Sequence, residues 1–139
     1  MRDETEYIIW LDDVHLISGR AAIIHDDGRC CWLYLHEFPN GPVMKSVLVY
    51  SPILPISRAE FDSTMFRGQA PMLICDYASH EAVIAERFSS DFSFRWRPDG
   101  EAVAVIYRER ILAVVSHEKR HGSSAAIAQS GPFGEPLVL

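Results

Sequence analysis

The stretch Ala21-Ala22-Ile23-Ile24-His25-Asp26-Asp27-Gly28-Arg29-Cys30-Cys31-Trp32-Leu33-Tyr34-Leu35-His36-Glu37 decides how this chain is read. Two apolar runs flank Asp26-Asp27-Gly28-Arg29, and an Asp-Gly pair supplies the positive φ angles of a tight hairpin. Ala21 to His25 and Cys30 to Glu37 are therefore expected as strands. On the second, Cys31, Leu33 and Leu35 share one face, while Trp32, Tyr34 and His36 share the other.

Outward from this hairpin the pattern continues as a meander. Tyr7 to Ile17 reads as a strand interrupted or bent at Asp12-Asp13. Phe38-Pro39-Asn40-Gly41-Pro42 is a turn and Val43 to Tyr50 a further strand. The middle changes character, because the prolines of Ser51-Pro52-Ile53-Leu54-Pro55 remove backbone donors. Ser57-Arg58-Ala59-Glu60 is a capping box, with Ile56 and Phe61 placed as its hydrophobic staple; the helix it opens runs to near Arg67 and stops at Gly68. Met72 to Cys75 is expected as a short strand, and Ser79 to Phe88 as a second helix with Val83, Ile84 and Phe88 as its buried stripe.

The last third returns to strands. Phe92, Phe94 and Trp96 alternate with Ser93, Arg95 and Arg97. Ala102 to Tyr107 and Ile111 to Ser116 form the arms of a hairpin around Arg108-Glu109-Arg110. From Gly122 the chain is small and polar, and its tail is expected to be ordered only in part. The sum is an α+β fold: an antiparallel sheet of about six or seven strands, with one or two short helices in the middle of the chain. An all-β, barrel-like sheet is the alternative.

A chain of 139 residues fits a single globular domain spanning residues 1–139. At this size about 68% of the unfolded chain's surface is buried, enough to fold without staples. The longest apolar runs, Ile8 to Leu11 and Ile111 to Val115, fall far short of the ~20 residues of a membrane span. The start, Arg2-Asp3-Glu4 with Glu6, is acidic where a signal peptide is basic, so a cytoplasmic location is expected. Cys30 and Cys31 point to opposite faces of a strand and cannot easily pair. Either could meet Cys75, although three reduced thiols is the expectation.

The net charge is −6, unevenly spread. Residues 1–27 hold seven acids against Arg2 and Arg20, giving −5, whereas residues 87–120 hold seven bases against five acids, giving +2. An acidic domain lacks the basic face that phosphate backbones require, which argues against nucleic acid as a partner. It suits a basic protein partner, toward which complementary fields raise the encounter rate.

Catalytic patterns are sparse. His117-Glu118-Lys119-Arg120-His121 matches H-E-x-x-H, in which a helix sets two imidazoles on one face to bind zinc while the glutamate activates water. Yet an apolar, β-branched run precedes it, Gly122-Ser123-Ser124 follows at once, and Lys119 and Arg120 bring positive charge beside any cation. A charged turn or strand end is the expected reading. His15, His25 and His36 lie near the meander turns, in no recognised ligand spacing. There is no G-x-S-x-G elbow, and Gly131-Pro132-Phe133-Gly134 has the wrong spacing for a phosphate loop. No catalytic set and no cofactor are expected. The strip Trp32, Tyr34, His36, flanked by Asp26, Asp27 and Glu37, is either an interaction face or a second core face.

This acidic, strand-rich layout ends in Arg120-His121-Gly122-Ser123-Ser124 and Gly131-Pro132-Phe133-Gly134-Glu135-Pro136. In size, charge and layout it resembles the immunity proteins that bacteria encode beside secreted antibacterial toxins. The resemblance covers the whole chain and carries over no binding residues. It implies a small cytoplasmic protein that neutralises a basic partner, a toxin, by stoichiometric binding through an acidic surface. The expected contact residues are Asp12, Asp13, Asp26, Asp27, Trp32, Tyr34 and Glu37. Two alternatives stand beside this one. The first is a zinc-dependent hydrolase with His117 and His121 as ligands and Glu118 as base. The second is a non-catalytic subunit or homodimer paired through a sheet edge.

Overall fold

The computed structural model describes residues 9–68 and 71–138. It is α+β in kind, mostly strands with one α-helix among the described residues. Its strands form two sheets and not one: β1 (Ile9–Val14), β2 (Ala21–Asp26), β3 (Cys31–His36) and β4 (Val43–Tyr50) make the first, in sequential order. The second comprises β5 (Phe92–Trp96), β6 (Ala102–Tyr107), β7 (Arg110–Ser116), β8 (Ser123–Ser124) and β9 (Glu135–Pro136). All pairings are antiparallel except β8 with β9. The expectation of a single sheet of six or seven strands, or of one all-β, barrel-like sheet, is thus corrected. Periodicity identifies strands, but which strands share a ladder depends on the long connection after Tyr50, whose path no local pattern encodes.

The hairpins form as their turn residues dictate. Gly28 takes φ +88°. Asp27 Oδ1 accepts from the amides of Arg29 and Cys30 at 2.8 and 2.9 Å, closing the β2–β3 loop. Arg108 and Glu109, at φ 46° and 70°, make the two-residue turn between β6 and β7. β1 runs unbroken through Asp12-Asp13, paired with Ala22 and Ile23, so the expected bend there is absent; Tyr7, at the expected start of this strand, lies outside the described residues.

The inner faces of the two sheets share one core. Ile9, Ile24, Leu33, Leu35, Val47 and Val49 meet Val103, Val105, Leu112 and Val115. Burying a side chain of this kind contributes about 1.5–3 kcal/mol.

A second cluster lies on the other side of β3 and β4. There Leu48 and Cys30 pack with Leu73, Ile74 and Ala82 of the crossover and with Ile127 and Phe133 of the tail. The tail from Gly122 is therefore anchored in the fold through Ala126, Ile127 and Phe133, while residues 128–132 and Val138 stay exposed. Val47 requires this close approach to be glycine-lined: a Cβ on Gly122 or Gly134 would stand 2.6 Å from it.

Helix α1 (Arg58–Phe66) forms where the capping box places it, with Ser57 Oγ accepting from the Glu60 amide at 3.2 Å. The second helix expected over Ser79 to Phe88 does not form. Ser51 pairs with this segment instead, its amide donating to Ala82 O at 2.8 Å and its carbonyl accepting from the Ile84 amide at 3.0 Å. Val83 and Phe88 are exposed rather than buried. Met72 to Cys75 likewise reduces to a single bridge, Ile74 to Ile56. In both cases tertiary pairing overrides local propensity.

One buried ion pair ties these parts together. Asp26, 0% exposed at the end of β2, accepts from Arg87 Nε at 2.6 Å and Nη2 at 3.1 Å. Tyr50 Oη donates to the same carboxylate at 2.6 Å, and the Gly28 amide at 2.8 Å. Removing one partner leaves a buried, uncompensated charge. Asp26→Ala is therefore expected to lower the unfolding free energy by about 3–5 kcal/mol. Tyr50→Phe should lower it by about 1.5–3 kcal/mol, the contribution of one hydrogen bond to a charged group. Urea denaturation of both variants reads this order; equal, small losses would refute the role assigned to the pair.

Candidate functional site

The register of the first sheet decides which side chains reach its outer face together. Trp10 sits opposite His25, and His25 opposite Trp32. Asp12, Ile23 and Tyr34 form the next row, and Val14, Ala21 and His36 the third. Cys31, Leu33 and Leu35 face the core, as the alternation on β3 requires.

This outer face is divided. At the Trp32 end it is covered, not by a helix but by the crossover and the tail: Trp32 stacks on Phe133 with ring centroids 6.1 Å apart. Tyr77 and Phe61 close on the same Phe133 ring, at 5.8 and 6.4 Å. At the other end Trp10, Ile23, Tyr34, His36, Asn40 and Val43 line an open depression of about 300 Å³. Trp10 is 56% exposed and Val43 52%. Trp10 packs against His25 at 5.1 Å and Tyr34 against His36 at 6.4 Å. Burial holds the Tyr34 phenol above its ordinary pKa, so it stays a neutral hydroxyl. Trp32 thus packs into the second cluster, as a core face would, whereas Tyr34 and His36 border the open depression.

The expected acidic residues separate in the same way. Asp12 is exposed on this face and accepts weakly from Trp10 Nε1 at 3.4 Å. Glu37 is exposed just beyond β3. Asp26 is not part of any surface, because its carboxylate is wholly used by Arg87, Tyr50 and Gly28. Asp27 is exposed but committed to capping its own turn. Asp13 lies on the opposite side of β1 from Asp12 and accepts from Trp96 Nε1 at 3.0 Å, joining the edge strands of the two sheets.

Trp10 is the residue that sequence reasoning missed. Its signal was the alternation through β1, which puts Trp10 and Asp12 on one face. Recognising it requires the register across the turn at His15 to Arg20.

The H-E-x-x-H string forms no helix. Residues 117–121 follow β7 as a run of bends, so the two imidazoles are not set one helical turn apart. His117 Nδ1 meets Glu101 at 3.1 Å, and Glu101 also accepts from Arg20 at 2.7 Å. The Arg20 hydrogen bond holds the Glu101 carboxyl below its ordinary pKa. Glu118 is bound by Arg97, which also grips Asp99 and lowers its pKa to about 2. The zinc reading therefore loses the geometry it needs, and its glutamate serves as an ion-pair partner.

His15, His25 and His36 do not converge. His15 is held by Ser18, His36 by Gly41 O at 2.8 Å, and His25 lies on Trp10. Among the described residues no group of three or more His, Cys, Asp or Glu could hold a metal ion, and no helix is long and apolar enough to cross a membrane.

Comparison of the chain with protein-family models, with curated proteins and with solved structures gives no match. The functional argument therefore rests on the chain's own residues.

The thiols offer a direct check of this burial pattern. Cys30, Cys31 and Cys75 are unpaired, and Cys75 alone is exposed. Burial, reinforced by the Asp27 carboxylate, pushes the Cys30 thiol up to about 12, and burial raises Cys31 well above its ordinary value. Since the thiolate is the nucleophile, a thiol reagent at pH 8 is expected to modify one cysteine in the folded protein and three in denaturant. Rapid reaction of two or three thiols in the native state would contradict the packing around β3.

Proposed function

We propose that this is a small protein-binding protein, inhibitory and of the immunity type, that neutralises a basic partner by stoichiometric occlusion. The observation that carries the reading is the open aromatic depression of the first sheet, where an exposed Trp10 and a half-buried Tyr34 stand near Asp12. Large aromatic anchors in a concave, partly apolar setting are what interface hot spots are made of. A ring of unneutralised carboxylates around them favours a partner of opposite sign and raises its association rate. Asp12 and Glu37 supply such exposed carboxylates here.

The underlying strands make the face rigid. Trp10, Ile23 and Tyr34 project from three adjacent strands whose opposite sides are locked into the main core. Little conformational entropy remains to be lost at binding, which favours affinity. A cytoplasmic setting fits this reading, since three unpaired thiols persist in a reducing compartment. Occluding the active cleft of a toxin needs no catalytic group on the inhibitor.

The test is a tagged pull-down from the native cell with stoichiometry measured, followed by kinetics with the purified partner. One basic partner at one to one is expected. Trp10→Ala with Tyr34→Ala should weaken it at least a hundredfold, about 2.7 kcal/mol, mainly through faster dissociation. Asp12→Lys with Glu37→Lys should mainly slow association. An empty pull-down, or full affinity in both double variants, would overturn the proposal.

A further inference from the structure

A second surface feature has the opposite charge. Lys45 and Ser46 of β4, Arg120, His121 and Gly122 after β7, and the turn at 131–134 line an open cleft of about 390 Å³. None of its lining residues is acidic. The tail makes the cleft: Phe133 O accepts from the Leu48 amide at 3.0 Å, and Val47 fits against Gly122 and Gly134. That contact brings the loop after β7 alongside the start of β4, residues about 75 apart in the chain.

The cations of this cleft, like Arg29, Arg67, Arg95 and Lys119 elsewhere, form no ion pair among the described residues. Arg20, Arg58, Arg87, Arg97, Arg108 and Arg110 all form ion pairs. Lys45, Arg120 and His121 make no hydrogen bond or ion pair among the described residues, although the chain carries 19 acids against 13 Lys and Arg. Gly122 is buried, and its amide donates to no acceptor among the described residues. A cleft that unites cations without ion pairs, a hydroxyl and a backbone amide suits an anion.

The donor set favours one class of anion. A guanidinium offers a planar fork, an ammonium a point charge, and imidazole, hydroxyl and amide add single donors from other directions. A planar carboxylate is satisfied by fewer donors than these, whereas a tetrahedral phosphoryl group presents oxygens on several sides. The cleft's volume falls in the usual range for small-molecule sites, about 300–1,000 Å³.

We propose that this cleft binds a phosphoryl group, either as free phosphate or as part of a small phosphorylated molecule. The site is independent of the aromatic face and of the partner assigned to it. Because the protein's net charge repels anions, saturable binding must come from local contacts rather than from the overall field.

The experiment is an amide NMR titration of the full chain with inorganic phosphate, and separately with pyrophosphate, at constant ionic strength set with chloride. Saturable shifts centred on Lys45, Ser46, Arg120 to Gly122 and the turn at 131–134 are expected. Lys45→Ala and Arg120→Ala should each weaken binding at least about tenfold. Arg67→Ala, which removes an exposed cation outside the cleft, should leave it unchanged. Arg120 is exposed and makes no hydrogen bond or ion pair among the described residues, so its variant should keep the wild-type melting temperature and remain interpretable. Pyrophosphate binding at least tenfold tighter than phosphate would assign the site to a phosphorylated molecule, and equal binding would assign it to free phosphate. Non-saturating shifts, shifts scattered over Arg29, Arg67 and Arg95, or affinity unchanged in both cleft variants would overturn the proposal.

Discussion

The carboxylate of Asp26 is the point on which the two-layer arrangement turns. It ends β2, receives Tyr50 from the end of β4, and receives Arg87 from the last residues of the crossover before β5. A buried carboxylate cannot be left unpaired without a large desolvation cost. The crossover is therefore constrained to return to this corner of the first sheet, wherever its middle wanders. That return delivers Phe92 into the main core, where it stacks on Tyr50 at 5.5 Å and opens the second sheet. The ion pair contributes chiefly by placing this segment, since buried pairs of this kind add little net free energy over an apolar contact.

From that constraint follows the uneven fate of the first sheet's outer face. A crossover anchored at Asp26, and a tail drawn in through Phe133, cover the Trp32 and Leu48 end. They leave Trp10 and Val43 exposed and Tyr34 half-covered. Apolar burial and exposure thus alternate along one strand for a reason that lies outside it. The same tail shapes the basic cleft near Lys45 on the other flank of β4. One late segment of the chain decides the availability of both surfaces.

Charge is arranged with comparable economy. Most arginines are neutralised locally: Arg20 by Glu101, Arg97 by Asp99 and Glu118, Arg108 by Asp91. These pairs absorb the most suggestive string in the sequence. Glu118, which would be a general base in a zinc site, bonds Arg97, and His117 bonds Glu101. Several charged side chains form no ion pair among the described residues. Asp12 and Glu37 lie toward the aromatic face, while Lys45 and Arg120 meet at the cleft. An acidic protein can therefore present two surfaces of opposite sign.

The sequence by itself determined the local elements. Asp27-Gly28 closed its hairpin, alternation put Leu33 and Leu35 in the core, the Ser57 to Glu60 box opened the only α-helix described, and the β6–β7 arms fell where their apolar runs lie. These features depend on backbone dihedrals and on a period of two, both encoded within a few residues. Tertiary structure alone decided the rest. The split into two sheets, the extended path of Ser79 to Phe88, the two-residue strands β8 and β9, the burial of Asp26, the exposure of Trp10 and the approach of Arg120 to Lys45 all rest on contacts between distant segments. Their energies come from shared burial and from satisfying polar groups across the fold. No single segment carries those terms, so its own pattern cannot display them.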